Sequence, residues 1–274
     1  MTNENRRLKL CGIFAHPDDE TLGTGATLAK YAAEGVETYV VTATRGQRGR
    51  YKDGEDHPGP EALGRIREAE LRAAGEVLGV KEVSVLDYWD GDLDKADPDE
   101  VIGQTVAHLR RIRPHVLVTF DPNGAYGHPD HIAICQFATA AVVAAADPSY
   151  QTPGDGDRSP HRVSKLYYMA WPTAKWDAYQ TAFKKLVSTV DGVERQAAPW
   201  PDWALTTVID TEEHWATVWR AVQCHESQMA IYGPLAELNE EHHKGLWGTQ
   251  EYYRVMSLVN GGRGREGDLF EGLR

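Results

Sequence analysis

The sequence predicts an α/β protein: a Rossmann-like three-layer sandwich with a mostly parallel sheet and an elaborated C-terminal half. Two observations predict it. Short apolar runs rich in β-branched residues alternate with longer helical patterns through residues 1–150, which is the signature of βαβ units. Glycines close the helical patterns, Gly35 after the first and Gly79 after the second, where a chain leaving a helix favours left-handed backbone.

The elements follow in order. Residues 8–15 read as a buried strand, an apolar run too short for a helix. Residues 21–33, rich in Ala and Leu, read as a helix, and the β-branched run 36–42 as the second strand. A polar, Gly-rich loop spans 44–60; a helix over 61–78 and a short strand over 83–86 come next. Asp97-Pro98 opens a helix over 97–111, since Pro suits the first helical turn. The run 116–120 is another buried strand, and a turn-rich loop, 121–129, leads into an alanine-rich helix over 130–146. Beyond it come a loop at 150–161, strands at 163–169, 205–210 and 252–258, and helices at 176–186 and 212–224. The Gly-rich, charged tail from Gly261 is expected to fray. No repeat or clean linker divides the chain, so one domain is expected over 1–274, with its core at 1–150 and substrate-shaping additions at 151–274.

Composition narrows the function classes. With 41% hydrophobic and 26% charged residues, the 274-residue chain reads as globular rather than disordered. A net charge of −12 repels phosphate backbones and anionic lipid, so neither nucleic acid nor a membrane surface is an expected partner. Cys11, Cys135 and Cys224 form no C-x-x-C pair, which argues against a disulfide framework. Residues 1–9 are polar, and the apolar run after them is too short for a signal segment or a membrane span. The expected location is cytoplasmic.

Two segments carry chemistry. His16-Pro17-Asp18-Asp19-Glu20 follows the first strand, and Tyr126-Gly127-His128-Pro129-Asp130-His131 follows the strand at 116–120. Ligands of open α/β sheets bind outside the carboxyl ends of the strands, so the two segments are expected to meet. A hydrolytic zinc site needs about three His or carboxylate ligands and an open position. His16 and Asp19, three apart at a strand-to-helix turn, supply two, and one His of the second segment a third. Asp18 is then the carboxylate placed to act as base. His-Pro-Asp also opens helices as a simple cap, but two such segments at two strand ends favour a metal site.

These segments closely resemble the LmbE/PIG-L family of zinc-dependent N-deacetylases, and His225-Glu226-Ser227-Gln228 resembles another segment of that family. The resemblance implies zinc, with Fe2+ as the alternative native metal, held by His16, Asp19 and His131. It implies Asp18 as general base, His128 as stabiliser of the tetrahedral intermediate, Asp130 as the carboxylate orienting His128, and Tyr126 as a mobile tyrosine beside the substrate carbonyl. More loosely it implies Arg67 and Asp90 as substrate-binding residues; Arg67 competes with Arg65 and Arg72, and with a solvated helix face. The implied reaction removes an acyl group from the nitrogen of an N-acyl amino sugar. The alternatives are an amidase of thiol conjugates and a non-catalytic, metal-containing sugar-binding protein. Specificity is expected in the loops 44–60, 147–162 and 187–203, tryptophans such as Trp171, Trp176, Trp200 and Trp203 are expected mainly to pack, and homo-oligomerisation stays open.

Overall fold

Every residue of β1 (Lys9–Phe14) after the first is buried, so this strand needs cover on both faces and takes the middle of a sheet. The computed structural model describes residues 7–52, 56–152, 159–183, 187–190, 192–262 and 264–274. After β1 come α1 (Asp19–Ala33), β2 (Glu37–Thr44), α2 (Pro60–Val77), β3 (Glu82–Tyr88), α3 (Pro98–Ile112) and β4 (Val116–Thr119). A single turn, α4 (Gly124–Gly127), precedes α5 (Pro129–Ala146), β5 (Lys165–Met169) and α6 (Thr173–Phe183). A hairpin of β6 (Val187–Val190) and β7 (Val193–Gln196) leads to β8 (Thr207–Asp210) and α7 (Trp215–Gln223). The chain ends with α8 (Met229–Tyr232), α9 (Glu240–Trp247) and β9 (Thr249–Ser257).

Seven strands form one sheet in the order β3-β2-β1-β4-β5-β9-β8. The first five run parallel, and β9 is antiparallel to both its neighbours. The chain builds outward from β1 through β2 to β3, then crosses back to place β4 on the other side of β1. That reversal is a topological switch point, and it opens a crevice at the carboxyl ends of β1 and β4. The expected mostly parallel α/β sheet is therefore present. α5 is long and apolar enough to cross a membrane, the one such helix among the described residues, yet it packs against α3 and β1.

Three expectations change. The region 226–247, left without elements, is a run of short helical turns ending in α9. The loop at 187–203 contains the β6–β7 hairpin. The tail does not fray: Phe270 is fully buried and meets the Tyr31 ring edge-on at 5.1 Å, and Glu266 is buried. Residues 53–55, 153–158, 184–186 and 191 of the expected loops and helix, residue 263 of the tail and the polar start 1–6 lie outside the described residues. Cys11 and Cys135 are buried and unpaired, as their apolar surroundings imply.

Glu266 ties the tail to the sheet. It pairs with buried Lys165 at 2.7 Å and accepts from the Tyr167 and Thr207 hydroxyls. Burial opposes its charge, but Lys165, Asn260, Tyr167 and Thr207 outweigh it and hold the carboxyl down to about 2, from 4.5. A depressed carboxyl stabilises the fold above its unfolded value, and that stability disappears as the pH falls through about 2. Glu266→Gln is thus expected to flatten the acid limb of a stability–pH curve measured by urea unfolding. An unchanged limb would show that the pair contributes nothing there.

Candidate active site

The chain leaves β1 through Ala15-His16-Pro17-Asp18 and enters α1 at Asp19. β4 pairs directly with β1, from Leu10 against Val116 to Gly12 against Val118. The segment after β4 therefore arrives beside the segment after β1, and both His-Pro-Asp motifs face one cavity of about 450 Å³.

His16, Asp19 and His131 form a triangle of donor atoms. His16 Nδ1 lies 3.1 Å from His131 Nε2 and 3.5 Å from Asp19 Oδ2, and His131 Nε2 lies 3.4 Å from Asp19 Oδ1. Bonds of about 2.0–2.2 Å in tetrahedral geometry place donors about 3.3–3.6 Å apart; the two His–Asp19 separations fall in that range, each on its own carboxylate oxygen, and the His–His separation is slightly shorter. Each ring presents the nitrogen that ligation requires. His131 Nδ1 is 3.3 Å from the Gly124 carbonyl oxygen, which takes the ring proton and leaves Nε2 a lone pair. His16 Nε2 is 3.1 Å from both Asp90 Oδ1 and Asp130 Oδ2, which frees Nδ1 in the same way. Gly124 has φ 57, and a Cβ there would come within 3.0 Å of the His131 Cβ, so the turn that supplies this carbonyl requires glycine.

The surrounding carboxylates favour positive charge at His16. Burial alone would strip His16 of its proton, but Asp130, Asp19 and Asp90 hold its pKa well above the ordinary value. Burial likewise opposes charge on Asp19, yet His131 and His16 bring its carboxyl down to about 2. His131 is pushed down to about 3, chiefly by burial, and so carries the neutral imidazole that metals bind. Two further donor groupings share His16: one with His128 and His131, the other with Asp90 and Asp130. In the second, Asp130 already accepts from the Gly91 and Leu93 amides and Asp90 from the Arg48 amide. These two carboxylates are spoken for, and they sit behind His16.

That placement corrects one expectation. The Asp130 carboxylate turns to His16, not His128; its backbone N–H donates instead to His128 Nδ1 at 3.2 Å. Asp90 lines the cavity, and its two oxygens also hold His16 and the Arg48 N–H. Asp130→Asn is expected to lower metal affinity by about 10–100-fold, as loss of a carboxylate behind a ligating His does. Competition with a chelating dye would measure it, and unchanged affinity would remove Asp130 from that role.

Asp18 stands beside the triangle on strained backbone, with φ 107. A non-Gly residue there costs on the order of 1–3 kcal/mol and persists only when its surroundings hold it. Its N–H donates to Glu20 Oε2 at 2.9 Å, and His225 Nε2 braces Glu20 at 3.2 Å. Its Oδ2 accepts from Arg67 Nη2 at 2.8 Å and from the Tyr232 hydroxyl at 2.5 Å. Burial raises the Asp18 pKa, Arg67 opposes that, and the Asp19 charge adds to it.

Arg67 is no solvated helix residue. It is 4% exposed and also donates to the Pro17 and Gly46 carbonyls. The sequence held a signal for this: Leu63, Gly64, Arg67, Glu70, Leu71 and Ala74 all lie on the buried face of α2 at helical spacing. Tyr232 was missed outright. Glu70 takes two hydrogen bonds of 2.7 Å from Ser227, so the His225–Gln228 segment carries the Asp18 support from behind.

His128 and Tyr126 complete the cavity wall. His128 is pushed down to about 4 by burial and the nearby His16, and is neutral. Because its Nδ1 accepts the Asp130 amide, its proton sits on Nε2. The Tyr126 ring meets the His131 ring edge-on at 5.4 Å. Burial raises its hydroxyl well above the ordinary value, so it is a neutral phenol. Trp171 also lines the cavity, stacked on Tyr179 at 4.6 Å. Trp176 packs, as expected, whereas Trp203 is 86% exposed and does not.

Known proteins bear on this site. Residues 11–142 match the family model described as PIG-L, GlcNAc-PI de-N-acetylase. A protein of Streptomyces avermitilis named 1D-myo-inositol 2-acetamido-2-deoxy-alpha-D-glucopyranoside deacetylase is 37% identical over 299 residues, covering 98% of both chains. The N,N'-diacetylchitobiose deacetylase of Pyrococcus horikoshii shares the fold, with a TM-score of 0.64 at 20% identity over 91% of this chain and 84% of that one. So does the 4-carboxy-2-hydroxymuconate hydratase GalB of Pseudomonas putida, with a TM-score of 0.67 at 18% identity over 93% and 99%. Deacetylation and hydration thus occur on one architecture, and the fold by itself names neither. Identity sustained over nearly the whole length, together with the family match across both His-Pro-Asp segments, places the chain in the PIG-L/LmbE deacetylase family.

Proposed function

We propose that this protein is a zinc-dependent N-deacetylase that releases acetate and a free amine from an N-acetylglucosaminide of the glucosaminyl-inositol type. The observation that carries the reading is the His16–Asp19–His131 donor triangle with the Asp18 carboxylate beside it. The substrate class is taken from the full-length relative, whose name specifies that glycoside. Zinc, when bound by those three residues, would polarise the acyl carbonyl and acidify water.

The chain's own residues supply the rest. Among the described residues both hydrogen bonds to the Asp18 carboxylate fall on Oδ2, which leaves Oδ1 to take the proton from the attacking water. Arg67 and Tyr232 fix the carboxylate so that its remaining oxygen faces the cavity. His128, with its proton on Nε2, is a neutral donor positioned for the developing oxyanion, and the Tyr126 phenol is a second. The proton held on Asp18 then serves the departing nitrogen. The test is amine release from a panel of N-acetylglucosaminides, including the glucosaminyl-inositol, by protein loaded with zinc or with iron(II). No release from any member would overturn the reading.

A further inference from the structure

The turn that carries Tyr126 is held in an unfavourable conformation by residues far along the chain. Ala125 has φ 61 and ψ −69, the geometry of a strained γ-turn centre that alanine seldom adopts. Gly124 and Gly127 on either side also have positive φ. The Ala125 N–H donates to Asp121 Oδ1 at 2.8 Å. Asp121 is buried, and its other oxygen accepts from Trp200 Nε1 at 2.9 Å. Trp200 is itself anchored: its backbone N–H donates to the Trp171 carbonyl at 2.9 Å, and its ring packs on Tyr253 at 5.1 Å. From the other side the Arg195 side chain lies against Gly127, where a Cβ would come within 2.6 Å of it, and donates to the Gly127 carbonyl at 3.3 Å.

Resting on the deacetylase reading above, we infer that Trp200 is a positioning residue: through Asp121 it holds the Ala125 turn that aims the Tyr126 hydroxyl into the cavity. The indole touches no part of the donor triangle or of Asp18. Among the described residues the indole's polar link runs through Asp121 to the Ala125 N–H, one residue before Tyr126. A part-buried indole N–H needs an acceptor in any case; here that acceptor is the carboxylate that also holds the Ala125 amide, and Phe at this place would remove that link.

Trp200→Phe keeps an aromatic ring and removes the N–H. Its kcat on the glucosaminyl-inositol substrate is expected to fall about tenfold, because small misplacements of a reacting group are costly, with KM within about twofold and metal content unchanged. On a Tyr126→Phe background the same substitution is expected to cost less than about threefold, because the group it aims is gone. Ala125→Gly, which takes positive φ without a Cβ, is expected to restore part of the lost kcat to Trp200→Phe. Independently of turnover, the Gly124–Gly127 amides are expected to exchange hydrogen faster in Trp200→Phe. Unchanged kcat, a loss that multiplies in full with Tyr126→Phe, or unchanged exchange would each overturn the inference. Should Trp200→Phe fail to fold, Asp121→Asn breaks the same link from its other end and is read in the same ways. A wild-type protein that releases no amine would defeat the deacetylase reading, and the exchange measurement alone would then decide the clamp.

Discussion

Asp18→Asn is expected to lower kcat by about 10²–10⁴-fold, the range for a positioned general base, in a protein that still folds and still holds its metal. Asparagine is nearly isosteric and tolerates positive φ better than alanine does, which matters at a residue with φ 107. Its amide oxygen can still accept from Arg67 and Tyr232, so the local geometry survives, but it cannot take a proton from water. Some stability is lost, since Arg67 keeps its buried charge beside a neutral group; turnover is therefore compared well below the unfolding temperature. Metal content and single-turnover rate, measured on one preparation, separate the outcomes. Undiminished turnover would remove Asp18 from the chemistry, and loss of metal along with turnover would make it a ligand.

Replacing His131 or Asp19 by alanine is expected to abolish both metal retention and activity, whereas His128→Ala is expected to keep the metal and lose turnover. The contrast matters because His16, His128 and His131 also lie close enough to ligate together. Asp19 is preferred over His128 because its oxygens close the triangle, while His128 Nδ1 is occupied by the Asp130 amide. Metal binding also feeds into stability by mass action, by about 4 kcal/mol at a free concentration a thousand times Kd. Added zinc is therefore expected to raise the wild-type Tm and to leave His131→Ala where it was. If His128→Ala loses the metal and Asp19→Ala keeps it, the ligand set is the three histidines.

Much of this architecture was legible in the residues. The alternation of buried runs and helices predicted β1, β2, β4 and β5 and the helices between them, because a parallel sheet covered on both faces leaves an almost uninterrupted apolar run at each strand. Both His-Pro-Asp segments were recognisable, and their meeting followed from strand ends alone. Side-chain direction was not legible. Spacing places Asp130 in the first turn of α5 but does not say that its carboxylate swings to His16 while its amide caps His128. The C-terminal half was harder still. Tyr232 and Trp200 arrive from short turns and extended stretches without periodicity, and pattern reading has no purchase on them. Arg67 lies between: its place on the apolar stripe of α2 announced burial, but only the fold shows that it meets Asp18.

The position of β9 bears on how the protein is made. β9 seats between β5 and β8, and among the described residues β8 pairs with no other strand of the sheet. On a ribosome, His16, Asp19 and His131 emerge long before residue 249, so a nascent chain presents these three proposed ligands while β5 is still an open edge. An unpaired edge invites pairing with other chains until it is covered. Contacts so distant in sequence form late and slowly. Tyr232 too is synthesised 214 residues after Asp18, so the support of Asp18 is completed long after Asp18 itself emerges. Chains interrupted late in translation are then those in which aggregation competes most directly with maturation.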